Sequence, residues 1–98
     1  MVQRGESQQL KTSFSFEVAT LPARFQYSGA GVIKTAQATG KPHAIVYGDE
    51  NWKNELVYGA FIARFIDGTL KVEHYQGAND KVTALRRVAN AGAVLMPA

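Results

Sequence analysis

Apolar and polar positions alternate cleanly over residues 12–18, with Phe14, Phe16 and Val18 on one side and Ser13, Ser15 and Glu17 on the other. That is the period-two signature of a half-buried strand. Leu21 and Pro22 interrupt it, because proline brings no amide proton to a ladder. Alternation resumes over residues 24–27 with Phe25 and Tyr27 inward, and Gly29 and Gly31 before Val32 and Ile33 predict a bulge or bend within one long strand. Residues 34–42 are polar, close on Gly40 and Pro42, and read as an exposed loop leading to a strand at 43–47. Gly48, Asp49, Glu50 and Asn51 have turn chemistry, and residues 52–55 fit one short helical turn.

The clearest local signal is a pair of strand-like runs, 57–66 and 69–75, joined by Asp67-Gly68. Both positions of that dipeptide tolerate positive φ, which predicts a two-residue hairpin. The register then follows: Ile66 faces Thr69, Phe65 faces Leu70, Arg64 faces Lys71, Ala63 faces Val72, Ile62 faces Glu73 and Phe61 faces His74. One side of the hairpin presents Phe61, Ala63, Phe65, Leu70 and Val72 as core. The other presents Tyr58, Ile62, Arg64, Ile66, Lys71, Glu73 and Tyr75.

Asn79 or Asp80 is placed to cap a helix in which Val82, Leu85, Val88 and Ala89 form an apolar stripe and Gly92 marks the stop. Residues 93–96 add an edge strand. Strands followed by one late helix predict an α+β fold: an antiparallel sheet of four to five strands with a C-terminal helix packed on one face. Residues 1–11 are almost wholly polar and are expected to form a flexible N-terminal tail, leaving 12–98 as a single domain.

Composition narrows the function. The chain has 98 residues, is 46% hydrophobic and has no cysteine, which suits one folded core and excludes disulfides and thiolate metal sites. No apolar run reaches the roughly 20 residues of a membrane-spanning helix, and the polar start lacks a signal-peptide core, so a cytoplasmic location with no membrane partner is expected. The net charge is +3, and residues 18–48 carry Arg24, Lys34 and Lys41 with no acidic residue, a local field that favours an anionic partner.

No local motif carries chemistry. Gly29-Ala30-Gly31 opens like a dinucleotide fingerprint, but Lys34 stands where its third glycine belongs. Gly40-Lys41 lacks the upstream glycine of a phosphate loop, Thr35 standing there, and Pro42 replaces the magnesium-binding Ser or Thr. His43 and His74 have no metal-ligand spacing around them, and His74 is expected at a strand end on the core side near Phe61. No metal, cofactor or catalytic residue is assigned. The run 57–65 superficially resembles the aromatic central strand of RNA-recognition motifs, but Tyr58 falls on the face opposite Phe61 and Phe65, and no early helix is expected.

What remains is a surface. Tyr58, Ile62, Arg64, Lys71 and Tyr75 form a mixed aromatic and basic patch on the outer hairpin face, the composition of a partner site, provided that the 34–42 loop, the tail or a second copy of the chain does not cover it. The leading expectation is a small non-enzymatic binding protein, of accessory or inhibitor type, docking on a protein partner through an outer sheet face or edge. The alternatives are nucleic-acid binding through Arg24, Lys34, Lys41 and exposed tyrosines, and a metabolite-binding domain or enzyme whose site is assembled by folding.

Overall fold

The computed structural model describes residues 14–98. The chain is helical over residues 14–19 (α1), passes through a single 3-10 turn at Ala23–Phe25, and continues as helix α2 (Gln26–Thr39). Strands β1 (His43–Glu50), β2 (Leu56–Ile66) and β3 (Thr69–Ala78) follow, then helix α3 (Lys81–Asn90) and the two-residue strand β4 (Val94–Leu95). The sheet order is β3-β2-β1-β4. β1, β2 and β3 pair antiparallel in sequence, and β4 lies parallel to β1. The fold is α+β with a mixed four-stranded sheet and helices on both faces.

The first half of the chain departs from its alternation. Residues 12 and 13 lie outside the described residues, as does the expected tail 1–11, and the rest of the expected strand at 12–18 is helix. Phe14 and Val18 pack against the core one helical turn apart, whereas Phe16 is 68% exposed. The expected strand through residues 24–33 is instead the end of the 3-10 turn followed by α2, which also takes up most of the 34–42 loop. Phe25, Gly29, Val32, Ile33 and Ala36 recur at helical spacing, and the last four of these are buried. Gly29 is there for contact rather than for a bend: a Cβ on it would overlap Leu21 Cδ1. Gly40, at φ 71°, ends the helix in the left-handed conformation, its N–H bonded to the Ala36 carbonyl at 3.0 Å. Residues 52–55 form a tight turn rather than a helical one.

The second half follows the sequence reading closely. The hairpin turns on Asp67 and Gly68 at φ 53° and 77°, and every expected pair from Ile66–Thr69 to Phe61–His74 is present. Asp80 caps α3, its Oδ1 accepting from the Thr83 N–H at 2.8 Å and from the Thr83 hydroxyl at 2.8 Å. β4 adds an edge through Val94 N–H to the Pro42 carbonyl and Met96 N–H to the Ala44 carbonyl.

Two cores sandwich the sheet. Leu21, Val32, Ile33 and Ala36 close over Ile45, Tyr47, Phe61 and Ala63 on one face. On the other, Ala84 and Val88 of α3 close over Ala44, Ala60 and Ile62. This corrects the expected architecture in three respects: β4 runs parallel to β1, so the sheet is mixed rather than antiparallel, α2 covers the face reserved for the C-terminal helix, and α3 covers the face assigned to the outside. The stripe on α3 is also rotated, with Ala84 and Val88 buried and Val82 61% exposed. Val88→Ala is therefore expected to lower the unfolding free energy by about 1–3 kcal/mol, while Val82→Ala changes it by no more than about 0.5 kcal/mol. Urea denaturation of the two variants measures the difference.

Candidate functional site

The most elaborate polar arrangement lies where β1, β2 and β3 meet the corner between α1 and α2. Tyr47 on β1 stands directly opposite Gly59 on β2, and the tyrosine ring lies across that glycine so closely that a Cβ would overlap its Cζ and hydroxyl. Phe25 packs on the ring from the helix side, with centroids 5.1 Å apart. Glycine on one strand thus makes room for an aromatic on the next and directs its hydroxyl toward β3. There it meets Nε2 of His74, while Nδ1 of His74 lies 3.0 Å from the Thr20 hydroxyl.

The proton positions follow from the donors available. Thr20 Oγ1 gives its one proton to the Glu17 carbonyl at 2.6 Å, so toward His74 it acts as acceptor. Nδ1 of His74 then carries the proton and Nε2 is bare, which makes the Tyr47 hydroxyl the donor to it. The result is a directed chain, Tyr47 to His74 to Thr20 to the Glu17 backbone, built around a neutral imidazole. Burial disfavours the imidazolium and holds His74 below its ordinary value of 6.5. Burial likewise raises the Tyr47 phenol above 10.0; Asp49 adds to that shift, and a hydrogen bond with Gln76 opposes it. Both ring nitrogens of His74 are occupied, so the chain relays hydrogen bonds and offers no free base.

A bulge lies beside it. Tyr58 pairs with Ala78 and Ala60 with Tyr75, leaving Gln76 and Gly77 opposite Gly59, with Gly77 at φ 78°. Two shallow depressions flank this irregularity, one of about 230 Å³ bordered by Tyr47, Asp49, Asn51 and Gly59, the other of about 220 Å³ bordered by Tyr75, Thr83, Ala84 and Arg87. Tyr58, Gln76 and Gly77 border both. Among the described residues no group of three or more His, Cys, Asp or Glu side chains is placed to hold a metal ion, and no helix is long and apolar enough to cross a membrane.

The residues expected to bind a partner fare unequally. Ile62 is fully buried, closed off by Ala84 and Val88 of α3. Arg64 is half-buried and ties β2 to the end of α3, donating to the Ala91 carbonyl at 3.0 Å and to Glu73 at 3.5 Å, where the carbonyl end of the helix favours a cation. Tyr75 donates its hydroxyl to Glu73 at 2.7 Å, and the Arg87 guanidinium lies 4.5 Å above its ring. Tyr58 sits at the bulge. Lys71 is exposed on β3. The patch is therefore not one continuous surface: its centre lies under α3, and Lys71 with the β3 edge remains outside.

The three cations of the basic segment do not converge. Arg24 pairs with Asp49 at 3.1 Å and donates to the Gly48 carbonyl at 3.0 Å. Lys34 lies about 15 Å further along at the helical rise per residue, and Lys41 follows the end of α2. Tyr27, 91% exposed, shares the outer face of α2 with Lys34. The RNA-recognition comparison fails again on burial, because Phe61 is enclosed beneath α2. Sequence reading missed Tyr47 and Thr20 altogether and placed His74 only near Phe61, whose ring it does meet edge-on at 5.5 Å. Thr20 and His74 are 54 positions apart and Tyr47 and His74 are 27 apart, so no local spacing announces the chain.

Comparison with protein families, curated proteins and solved structures finds no match to this chain.

Because His74 accepts a proton less readily folded than unfolded, the unfolded chain binds more protons in the window that opens near pH 6.5 and runs downward. Stability is full above that window and is lost as the pH falls through it. His74→Gln is expected to be less stable near neutrality by about 1–3 kcal/mol, with a flatter pH dependence below 6.5; thermal denaturation across the window tests both. The Asp80 carboxyl, held low by its hydrogen bonds from Thr83, acts only in a separate window that opens near 3.8. Gly59→Ala must displace the Tyr47 ring and is expected to destabilise by about 1–3 kcal/mol, with the His74 imidazole NMR signals shifted.

Proposed function

We propose that the protein is a small non-enzymatic binding module that docks on a protein partner through the outer edge of β3. The observation that carries this reading is the edge itself. β3 ends the sheet, is ten residues long, and has no strand across its outer side among the described residues. The opposite edge is the two-residue β4. An edge strand presents alternate backbone N–H and C=O groups outward, and an extended segment can satisfy them by adding as a further strand. The outer hairpin face serves less well, since α3 lies over Ile62 and engages Arg64.

Along its straight segment the edge carries Lys71 and Glu73 as its charged side chains. β3 contains no proline, and its pairing with β2 is unbroken from Thr69 to Tyr75 before the bulge. The anchoring of His74 to Tyr47 and Thr20 holds the strand in place, which lowers the ordering entropy of binding.

Hydrogen exchange of the purified full chain, alone and with a partner captured from an extract of its source, tests the reading. Protection is expected on alternate amides within residues 69–75. Protection confined to the outer face of α2 around Tyr27 and Lys34, together with retention on RNA or DNA at low salt, would replace this reading with the nucleic-acid alternative.

A further inference from the structure

We infer that the partner of the β3 edge is a second copy of the same chain, paired antiparallel about a two-fold axis at Val72. This rests on the edge-docking reading and identifies the occupant. Two independent observations select the same register. The first is geometric: the unbulged part of the edge runs from Thr69 to Tyr75, and its middle residue is Val72. A two-fold axis that uses the whole straight segment passes there, setting Thr69 against Tyr75, Leu70 against His74 and Val72 against Val72 of the other copy.

The second observation is electrostatic. In that register each Lys71 faces Glu73 of the other copy, and these are the charged residues of β3. Within the monomer Lys71 is directly opposite Arg64, a like-charge cross-strand pair that is unfavourable. Glu73 of the same chain lies 3.5 Å from Arg64 and also accepts from the Tyr75 hydroxyl, and in the paired copies the same carboxylate reaches across the seam to the outer side of Lys71. A row of lysines would blunt the edge by repelling a copy of itself. A lysine and a glutamate two positions apart about the centre are instead self-complementary, and no other register of the seven-residue segment Thr69–Tyr75 both uses its full length and opposes the charges. On the α2 face the seam sets the half-buried Val72 side chains together and brings each Leu70 beside a neutral His74.

Sedimentation equilibrium of the full chain is expected to give twice the chain mass at micromolar concentration. K71E alone and E73K alone each oppose like charges at both Lys71–Glu73 positions of the seam and should weaken association at least about tenfold. An equimolar mixture of the two variants should recover it, because one supplies two acids and the other two bases in matching places; circular dichroism of each confirms folding. The absence of cysteine makes cross-linking specific. Val72→Cys places two thiols directly opposite, within disulfide reach, and should oxidise to a covalent dimer, whereas Leu70→Cys should not. A chain that stays monomeric at all concentrations overturns the inference, as does a dimer indifferent to both charge variants. A monomer whose β3 amides are nevertheless protected by a captured protein overturns the second-copy assignment and leaves edge docking standing. A monomer with no such protection removes both.

Discussion

The burial of β2 on both faces is the constraint from which the rest of the molecule follows. Gly59, Ala60, Phe61, Ile62 and Ala63 are consecutive and all buried. Phe61 and Ala63 look toward α2, while Ala60 and Ile62 look toward α3. A strand of this kind cannot leave either side to water, since each enclosed large side chain is worth about 1.5–3 kcal/mol relative to exposure. Two helical layers are thus required, and the chain supplies one before the sheet and one after it. β3 lies beyond the centre of both layers, so its odd positions are solvated, and among the described residues no strand pairs with its outer edge.

The polar chain around His74 belongs to the same arrangement. Helix α2 closes over β1 and β2, and Thr20 stands in the turn just after α1. The margin between the α1–α2 corner and β3 is filled by one imidazole bonded on both sides. Half-burial favours its neutral form, in which the tyrosine donates to one nitrogen and the threonine accepts from the other. The bulge at Gln76 and Gly77 begins immediately beyond Tyr75, so the histidine also anchors the last part of β3 that remains straight. β3 is in this way tied to β1 and to the end of α1 from inside the protein.

How much of this was legible depended on the distance over which each feature is decided. The hairpin register, the Asp80 cap and the short final strand were all readable, because each is set by residues within a few positions of one another. The early helices were not. Alternation at Phe14, Phe16 and Val18 fits a strand, but Phe14 and Val18 equally fit a helix, and only the core that receives them decides between the two. In α2 the buried face includes Gly29 and Ala36, which a count of large apolar residues passes over. The same bias hid the second covered face of the sheet. Residues 57–63 are almost continuously apolar, the pattern of a strand enclosed on both sides, yet reading them by alternation left Ile62 outside.

By itself the amino-acid sequence determined the class of fold, the hairpin and its pairing, the cap and the absence of any local catalytic motif, since each of these is set by side chains close together along the chain. Tertiary structure alone decided which face each helix covers, that Tyr47, His74 and Thr20 meet, and that β3 ends the sheet while α3 covers the outer hairpin face. Those outcomes join residues tens of positions apart, and the interactions responsible, burial and hydrogen bonding, depend on proximity in space that no spacing in the chain encodes.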